Sequence, residues 1–562
     1  MGEQKNLLLA ILVSLVVLLS FQLMFPGDKS SNNVVSTNNA TDQNLQPFPE
    51  INEVEDKPRE EIINASNRVN INNSLISGSL SLTGARIDDI ILKNYFEDLS
   101  TESDYVKLLS PKGTKDSYYA EYGWLKSNNS NIKLPDENSV WTSNNTEINP
   151  NSSTTLTWDN GEGIIFKRTI KLDKEYMFEI KQTVINNSNE DITLYPYASI
   201  NRKGFPKLSG LYILHEGLIG VIENRLQEVD YDDLEDTNEI SELSSSGGWI
   251  GITDKYWLAA LIPNQESKFK GYFQSFNYNS NPSFQSSFTG SAINLKSNNE
   301  ASYSSKLYIG AKELDILDRH EKSGIPMFDK AVDFGWFYII TKPLFYLLTF
   351  FSNLLGNVGL AIIALTICIR ILLFPLANKS FKSMNKMKIL QPKMMEIRER
   401  YGNDKMQMQK EVMALYKKEK ANPLAGCLPI LLQIPVFFAL YKVLYVTIEM
   451  RHAPFYGWIK DLSEPDPYSI FNLFGLIPID LPSFLIIGIW PLIMGATMVL
   501  QQKLNPAPPD PIQAKVMGML PFIFIFLFAQ FAAGLVIYWT CNNALSIAQQ
   551  WIIMKKMDNN NS

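Results

Sequence analysis

Three histidines, His215, His320 and His452, and three cysteines are all that 562 residues provide of the side chains that most often do chemistry. The histidines fall at no metal-ligand spacing, and no nucleophile elbow or phosphate-binding loop accompanies them, so the usual signatures of hydrolases, metalloenzymes and nucleotide-driven pumps are missing. Cys368, Cys427 and Cys541 lie within or beside apolar runs, which leaves the polar part of the chain without a disulfide framework. Aspartate and glutamate are absent from every apolar run of membrane length after residue 330. Proton-coupled transport normally needs a carboxylate at such a place, and its absence counts against a transporter. No catalytic residue, metal ligand or cofactor is expected.

What the chain does contain is a division into two parts. Residues 1–27 read as an uncleaved signal anchor: Lys5 precedes the apolar run Leu7 to Phe25, whose exit lacks the small-residue pattern of a cleavage site. Residues 28–57, rich in Ser, Asn, Thr, Asp and Gln, form a flexible linker that cannot bury a core. From 58 to 325 the pattern is strands and turns. Ile76, Gly78, Leu80 and Leu82 alternate with Ser77, Ser79, Ser81 and Thr83 at period two. Thr155 to Trp158 is expected to form a hairpin with Ile164 to Ile170 through Asp159-Asn160-Gly161, and Met177 to Ile185 another with Ile192 to Tyr197 through Asn186 to Asp191. With no helix of note between them, these strands predict a large antiparallel all-β sandwich.

The second part is apolar. Residues 326–356 carry Lys342 and Pro343 in the middle of Trp336, Ile340, Leu344, Leu347, Phe351 and Leu354 at helical spacing, which predicts an amphipathic helix lying in the membrane interface. Five spans follow, at 357–375, 427–446, 483–500, 516–531 and 534–554. The last two need a tight turn at Ala532, Ala533 and Gly534, because a helix from Val516 to Met554 would be about 58 Å long against a hydrocarbon core of about 30 Å. Between them lie loops at 376–426, 447–482 and 501–515, and a tail at 555–562. With the anchor this makes a polytopic α-helical membrane protein with six transmembrane helices. Charge sets its orientation: the loop at 376–426 holds twelve basic residues against five acids, a surplus of +7 in a chain whose formal charge is −7. By the positive-inside rule that loop and the tail are cytosolic, while the acidic polar domain and the 447–482 loop are outside.

Arg370 closes the apolar run Val358 to Ile369, and no span offers it an acidic partner. A charged side chain at the bilayer centre costs about 2.5–3.5 kcal/mol on insertion scales, so it either faces protein or a hydrated cavity and marks a functional path, or it snorkels to the nearby surface. Thr366 is one helical turn away, on the same face. Among the other polar residues of the spans are Gln433, Thr497, Gln530, Asn542 and Asn543, amides and a hydroxyl that serve either as glue between helices or as lining of a polar path.

The cytosolic loop reads as a coiled-coil hairpin. Met387, Leu390, Met394, Ile397 and Tyr401 recur at spacings of three and four, Gly402-Asn403-Asp404 turns the chain, and Met408, Val412 and Leu415 repeat the pattern back. Seven of the 18 methionines are here. Met387, Met394 and Met408 fit the seam, whereas Met384, Met395, Met406 and Met413 fall off it and are candidates for a partner surface, since methionine suits contacts with varied apolar segments. Lys386, Lys388 and their basic neighbours are either a solvated face or contacts for RNA phosphates or anionic lipid.

Four segments then resemble one known family in order and topology: Gly359 to Pro375 (GLAIIALTICIRILLFP), Lys386 to Tyr401 (KMKILQPKMMEIRERY), Asn422 to Pro435 (NPLAGCLPILLQIP) and Gly534 to Trp539 (GLVIYW). They resemble the YidC-type membrane protein insertases of the kind that carry a large periplasmic domain. The resemblance implies a five-helix insertase core, a periplasmic β-supersandwich similar to sugar mutarotases, and residence in the bacterial inner membrane. It implies a non-enzymatic insertase and assembly chaperone whose partners are newly made membrane proteins, the Sec translocon, membrane lipids, and through the hairpin the ribosome and the signal recognition particle receptor. It further implies that Arg370 and Thr366, with Gln433 beside them, line a hydrophilic groove, that Ile434, Pro435 and Phe437 contact substrate, and that Tyr538 and Trp539 stand where relatives have paired aromatics. Trp539 departs from the commoner tyrosine. The rival readings are a channel or transporter, and a membrane-tethered protein that binds or processes carbohydrate through the outer domain.

Overall fold

The computed structural model describes residues 56–559 apart from 101–102, 128–129, 207–213, 238–240, 279–280, 403, 420–427, 475, 478–481, 483–484 and 506–510. The expected anchor and almost all of the linker lie outside the described residues, as does Cys427. The chain divides into two compact units, Met1–Trp336 and Phe337–Ser562.

In the first unit the strands form two sheets, of eleven and nine strands among the described residues. Pairing is antiparallel except where Arg68–Asn72 meets Glu147–Ile148. The serine alternation works as expected on one face, burying Ile76 and Leu80. The other face is covered too, because Arg68 Nε donates to Ser79 Oγ at 2.7 Å and Ser79 Oγ donates to Asp89 Oδ2 at 2.6 Å. Two buried side chains tie the sheets to each other. Arg168, on the strand Ile164–Leu172 of the nine-stranded sheet, donates from Nη1 to the Ala85 carbonyl at 2.7 Å and from Nη2 to the Tyr122 carbonyl; Gln182 Nε2 donates to the Gly123 carbonyl at 2.8 Å.

Of the two expected hairpins, one forms. Thr154–Asp159 pairs with Ile164–Leu172, and Asn160 Oδ1 builds the turn by accepting the N–H groups of Glu162 at 2.7 Å and Ile164 at 3.0 Å. The second does not: Met177–Asn186 pairs with Ile164–Leu172 and Asn299–Ala311, while Ile192–Lys203 lies in the other sheet beside Tyr118–Lys126 and Asn281–Gly290. The connection is an arch folded on itself, with Asn186 Nδ2 donating to the Glu190 carbonyl at 2.8 Å and Ser188 Oγ donating to Asn186 Oδ1 at 2.6 Å. An arch and a hairpin use the same turn residues, so composition does not separate them. The turn that does pair Met177–Asn186 is Asp173 to Tyr176, where Asp173 Oδ1 accepts from the N–H of Glu175 at 2.8 Å and of Met177 at 3.0 Å. Helices of seven to nine residues also appear, at Arg59–Ala65, Tyr231–Thr237 and Leu314–Lys322, the last burying Leu314, Ile316 and Leu317.

The second unit is helical: α1 Tyr338–Leu355, α2 Val358–Tyr401, α3 Lys405–Lys418, α4 Leu428–Val446, α5 Ile489–Leu504, α6 Pro511–Phe528 and α7 Ala533–Asn559. Gly356, at φ +67°, ends α1 in the left-handed conformation, and Asn357 starts α2 by accepting the Leu360 N–H at 3.0 Å. On α1 the buried residues are Thr341, Phe345 and Leu348, whereas Ile340, Leu347 and Leu354 of the predicted apolar stripe face away from the protein. The expected end of a span at Pro375 is not a helix end. α2 continues for 44 residues with Pro375 and Pro392 inside it, since proline removes one ladder bond and kinks a helix but need not stop one that is packed on both sides of it. α5 begins six residues later than expected, because Gly488 is extended and Asp466 Oδ2 accepts the Trp490 N–H at 3.0 Å, capping the helix there. The turn between α6 and α7 lies at Ala529 to Ala532, two or three residues from where helix length required it. Among the described residues two helices, α1 and α2, are long and apolar enough to cross a membrane, and α4 and α6 contribute shorter apolar stretches at Gln433–Val446 and Ala514–Phe528.

Candidate functional site

Arg370 projects from α2 toward α7. Its Nε donates to Asn542 Oδ1 at 2.8 Å and its Nη2 to the Asn542 carbonyl at 3.1 Å. A neutral amide therefore holds the charge where no carboxylate is available, and an amide does so without cancelling it. One turn before Asn542 on the same helix, buried Tyr538 accepts a hydrogen bond at Oη from Gln433 Nε2 of α4 at 2.5 Å. Residues four apart share a helix face, so Gln433, Tyr538, Asn542 and Arg370 form a polar ladder that joins α4, α7 and α2. The sequence missed Asn542 as the partner of Arg370, although its place one turn after Tyr538 was a usable signal.

The other expected site residues separate. Thr366 is buried one turn before Arg370, but its hydroxyl donates to the Ile362 carbonyl of its own helix at 2.7 Å instead of toward the guanidinium. Phe437 and Trp539 leave the ladder and meet edge to face at 4.7 Å, with Phe528 of α6 4.9 Å from the Trp539 ring. That aromatic cluster joins α4, α6 and α7 and needs no hydroxyl, which accounts for a tryptophan at 539. Pro435 is half-buried and Ile434 exposed. Asn543, the neighbour of Asn542, turns to the far side of α7 and donates to Thr497 Oγ1 of α5 at 3.2 Å, a bond between helices only. Beyond Arg370, the side chains of Ile371 and Leu372 are exposed, so apolar surface adjoins the polar ladder directly.

In the hairpin, Leu390 and Met394 are buried in the seam, and the Tyr416 hydroxyl donates to Met394 Sδ at 2.9 Å. Lys393 pairs with Glu419 at 3.1 Å across the two arms, and Asp404 Oδ1 caps α3 by accepting from Met406 and Gln407. Met395, Met406 and Met413 are 61%, 84% and 56% exposed. Lys386 is exposed and Lys388 half-buried. Met384 is not on this surface: it packs against Ala377, Phe381 and Ile553, where α7 crosses α2. Its position relative to the heptad was off the seam, but a second helix covers it.

In the β-rich unit, folding gathers what spacing could not. Asp173, Glu175 and His320 bring ligand atoms within 4.8 Å of one another. Arg319 already pairs with Glu175, and Asp173 already accepts two backbone N–H groups, so the carboxylates are satisfied by the protein itself. Lys312 is a buried cation of the same unit. Burial pulls its ammonium down to about 8, against the opposing pull of Asp254, Asp333, Glu216 and Glu228, and Nζ donates to Thr253 Oγ1 at 3.0 Å.

Known proteins can now be set beside this arrangement. Residues 68–347 match the family described as the YidC periplasmic domain, and residues 350–560 match the family described as the 60Kd inner membrane protein. A membrane protein insertase YidC of Methylobacterium radiotolerans is 45% identical over 99% of this chain and 96% of its own length. That of Rickettsia prowazekii is 47% identical over 98% of this chain and 99% of its own, and that of Rickettsia bellii 51% identical over 87% of each. With both units matched and such identity along nearly the whole length, the chain belongs to the YidC family of membrane protein insertases.

Proposed function

We propose that this protein inserts newly made proteins into the bacterial inner membrane and assists their assembly, without enzymatic chemistry. The observation that carries the mechanism is the Arg370–Asn542 pair: a cation fixed in position by an uncharged partner, next to exposed apolar surface. In this reading the spans are the anchor, α2 to its apolar end, α4, α5, α6 and α7, with α1 in the outer interface and the β-unit in the periplasm. The groove around Arg370 opens to the cytosol and to lipid. A substrate enters it with its tail first. Acidic residues of that tail are drawn toward Arg370, because a charge in a site of low effective dielectric interacts several-fold more strongly than in water. The tail advances part-way across, and the apolar segment behind it leaves sideways along Ile371, Leu372 and Ile434 into lipid. Removing that segment from water supplies the net drive. Thr366 and Tyr538 stiffen the groove wall, while Phe437 and Trp539 hold α4, α6 and α7 together below it.

The hairpin surface of Met395, Met406 and Met413, with Lys386 and Lys388 nearby, is the part of this reading that receives cytosolic partners, the ribosome and the signal recognition particle receptor among them. Larger substrates are handled beside the Sec translocon.

The test is insertion of a short single-span protein with an acidic outer tail into vesicles that contain only this chain, scored by protease protection. Wild type is expected to protect it, and Arg370→Ala to reduce protection roughly tenfold, which corresponds to about 1.4 kcal/mol. A neutral-tailed version should be affected little. Equal loss for acidic and neutral tails would remove the charge from the mechanism.

A further inference from the structure

The loop between α4 and α5 carries a cluster of exposed apolar side chains. Phe471, Leu473, Phe474, Leu476 and Ile477 are exposed, Leu476 to 82%. No charged residue occurs from Pro467 to Ile479. Yet the backbone that presents them is built. Ser469 Oγ donates to the Leu485 carbonyl at 2.9 Å, the Ile470 N–H to the Ile487 carbonyl at 3.3 Å, and the Phe474 N–H to the Ser469 carbonyl at 2.8 Å.

These bonds fix the height of the tip. Ile487 is two residues before the first residue of α5, so the loop is rooted at the N-terminal end of that helix. Aromatic side chains with polar tips gather at the same level. Trp458 Nε1 donates to Asp466 Oδ1 at 3.0 Å, the carboxylate that also caps α5, and the Trp490 ring in the first turn of α5 stands 6.1 Å from Phe455. Such rings collect where headgroups meet hydrocarbon. Leu473 and Phe474 are moreover both left-handed, at φ +50° and +60°. Glycine or asparagine adopts that conformation with less strain than a leucine or a phenylalanine does. Two bulky apolar residues at strained positions, both pointing outward, are explained if their side chains have a partner outside the chain.

We propose that the tip formed by Phe471, Leu473, Phe474, Leu476 and Ile477 is a lipid anchor that dips into the leaflet at the N-terminal end of α5. The partner is the acyl boundary of the bilayer, chosen over a protein because the tip is uncharged and rooted at the level of a membrane helix end. The inference rests on the reading of α5 as a span, and adds a contact which that reading does not require.

The test uses the full chain in lipid vesicles with its three cysteines replaced by alanine. A nitroxide is attached at Leu476→Cys or, as the reference, at exposed Lys460→Cys of the same loop. Collision with oxygen, which enters lipid, is compared with collision by a water-soluble nickel chelate. The oxygen-to-nickel ratio at position 476 is expected to exceed that at 460 by roughly fivefold or more, as for side chains buried several ångströms into the headgroup boundary. Equal ratios would overturn the anchor; the same vesicles assayed for insertion then show whether the function stands without it. The paired substitution Leu473→Asn with Phe474→Gly supplies a second reading. It relieves the backbone, so thermal stability in detergent should hold or rise, while the nitroxide at 476 should move toward water. An unchanged depth in that variant would also overturn the proposal.

Discussion

Each unit of this molecule holds an arginine, buried Arg168 and half-buried Arg370, that has no carboxylate within ion-pairing distance among the described residues, and the two are held in opposite ways. Arg168 stands between the sheets, 3% exposed, with two carbonyls of the facing layer as acceptors and the Trp141 and Tyr122 rings 5.1 and 5.8 Å from its guanidinium. Arg370 is held from one side by a single residue, and its own helix continues into exposed Ile371 and Leu372. A cation enclosed on every side contributes cohesion and cannot meet a visitor. A cation held from one side keeps its charge available.

The largest effect that would break this contrast belongs to Arg168. Arg168→Met leaves the Ala85 and Tyr122 carbonyls without this donor and a volume poorly filled, so the β-rich unit should lose about 2–6 kcal/mol, at about 1–3 kcal/mol for each buried polar group left unsatisfied. Thermal melting of the full chain, followed through the β-sheet signal, measures it. A loss below about 1 kcal/mol would mean that the carbonyls find other donors and that the guanidinium is not the tie between the sheets.

Lys312 sharpens the same contrast, because it is a cation that enclosure penalises. Its folded value of about 8 lies below its ordinary 10.5, chiefly through burial. Below pH 8 both the folded and the unfolded chain carry the proton, and the penalty is present in full. Between 8 and 10.5 the unfolded chain binds a proton that the folded one has released, so stability rises with pH, by up to about 3 kcal/mol across that window. The melting temperature of the β-rich unit should therefore climb from pH 7.5 to 9.5, and Lys312→Met should flatten the climb. A wild-type melting temperature that falls over this range would contradict the assignment.

On the helical side, Asn542→Leu removes the neutral holder and leaves Arg370 in place. The cost to stability should be about 1.5–3 kcal/mol, as for a hydrogen bond to a charged group, and smaller than for Arg168→Met because Arg370 can reorient toward open space. Insertion of acidic-tailed substrates should fall less than with Arg370→Ala, since the charge survives and only its position is lost. If Asn542→Leu instead abolishes insertion of all tails alike, the amide acts in folding and not in positioning.

Much of this was legible in the chain itself, and the rest was hidden for identifiable reasons. The turn between α6 and α7 followed from bilayer thickness, and the hairpin at Asp159-Asn160-Gly161 from local turn chemistry. Arg370 was conspicuous because a charge in an apolar run has a cost. What stayed hidden depended on partners distant in sequence. Asn186 to Asp191 reads as a hairpin turn, yet the strands it joins find better partners in separate sheets. Pro375 reads as the end of a span, and that one helix, α2, runs through it into the hairpin was not visible. His320 joins Asp173 and Glu175 only because Leu314–Lys322 packs back on the β-unit. Asn542 looked like one of two equivalent amides, and only helix phase, with Asn543 turned to Thr497, distinguishes them.

The smallest expected effect concerns the hairpin, where the comparison between enclosed and available side chains recurs in methionine. Met394 is enclosed, with the Tyr416 hydroxyl on its sulfur, and Met384 is covered by Ile553. Met395, Met406 and Met413 are open. Replacing the three open ones by serine removes only surface contacts, so stability should shift by less than about 0.5 kcal/mol for each, as surface substitutions do. Met394→Ala alone should cost about 2 kcal/mol or more, at the low end of the range for truncating a buried methionine, because the two-helix seam can partly collapse. Binding is where the order reverses. Cross-linking of the hairpin to ribosomes carrying a membrane nascent chain should drop a few-fold in the triple serine variant, because flexible thioethers make contacts that a hydroxyl cannot replace. A triple variant that is stable and still cross-links like wild type would leave the basic residues, Lys386 and Lys388 first, as the part of the hairpin that meets its partners.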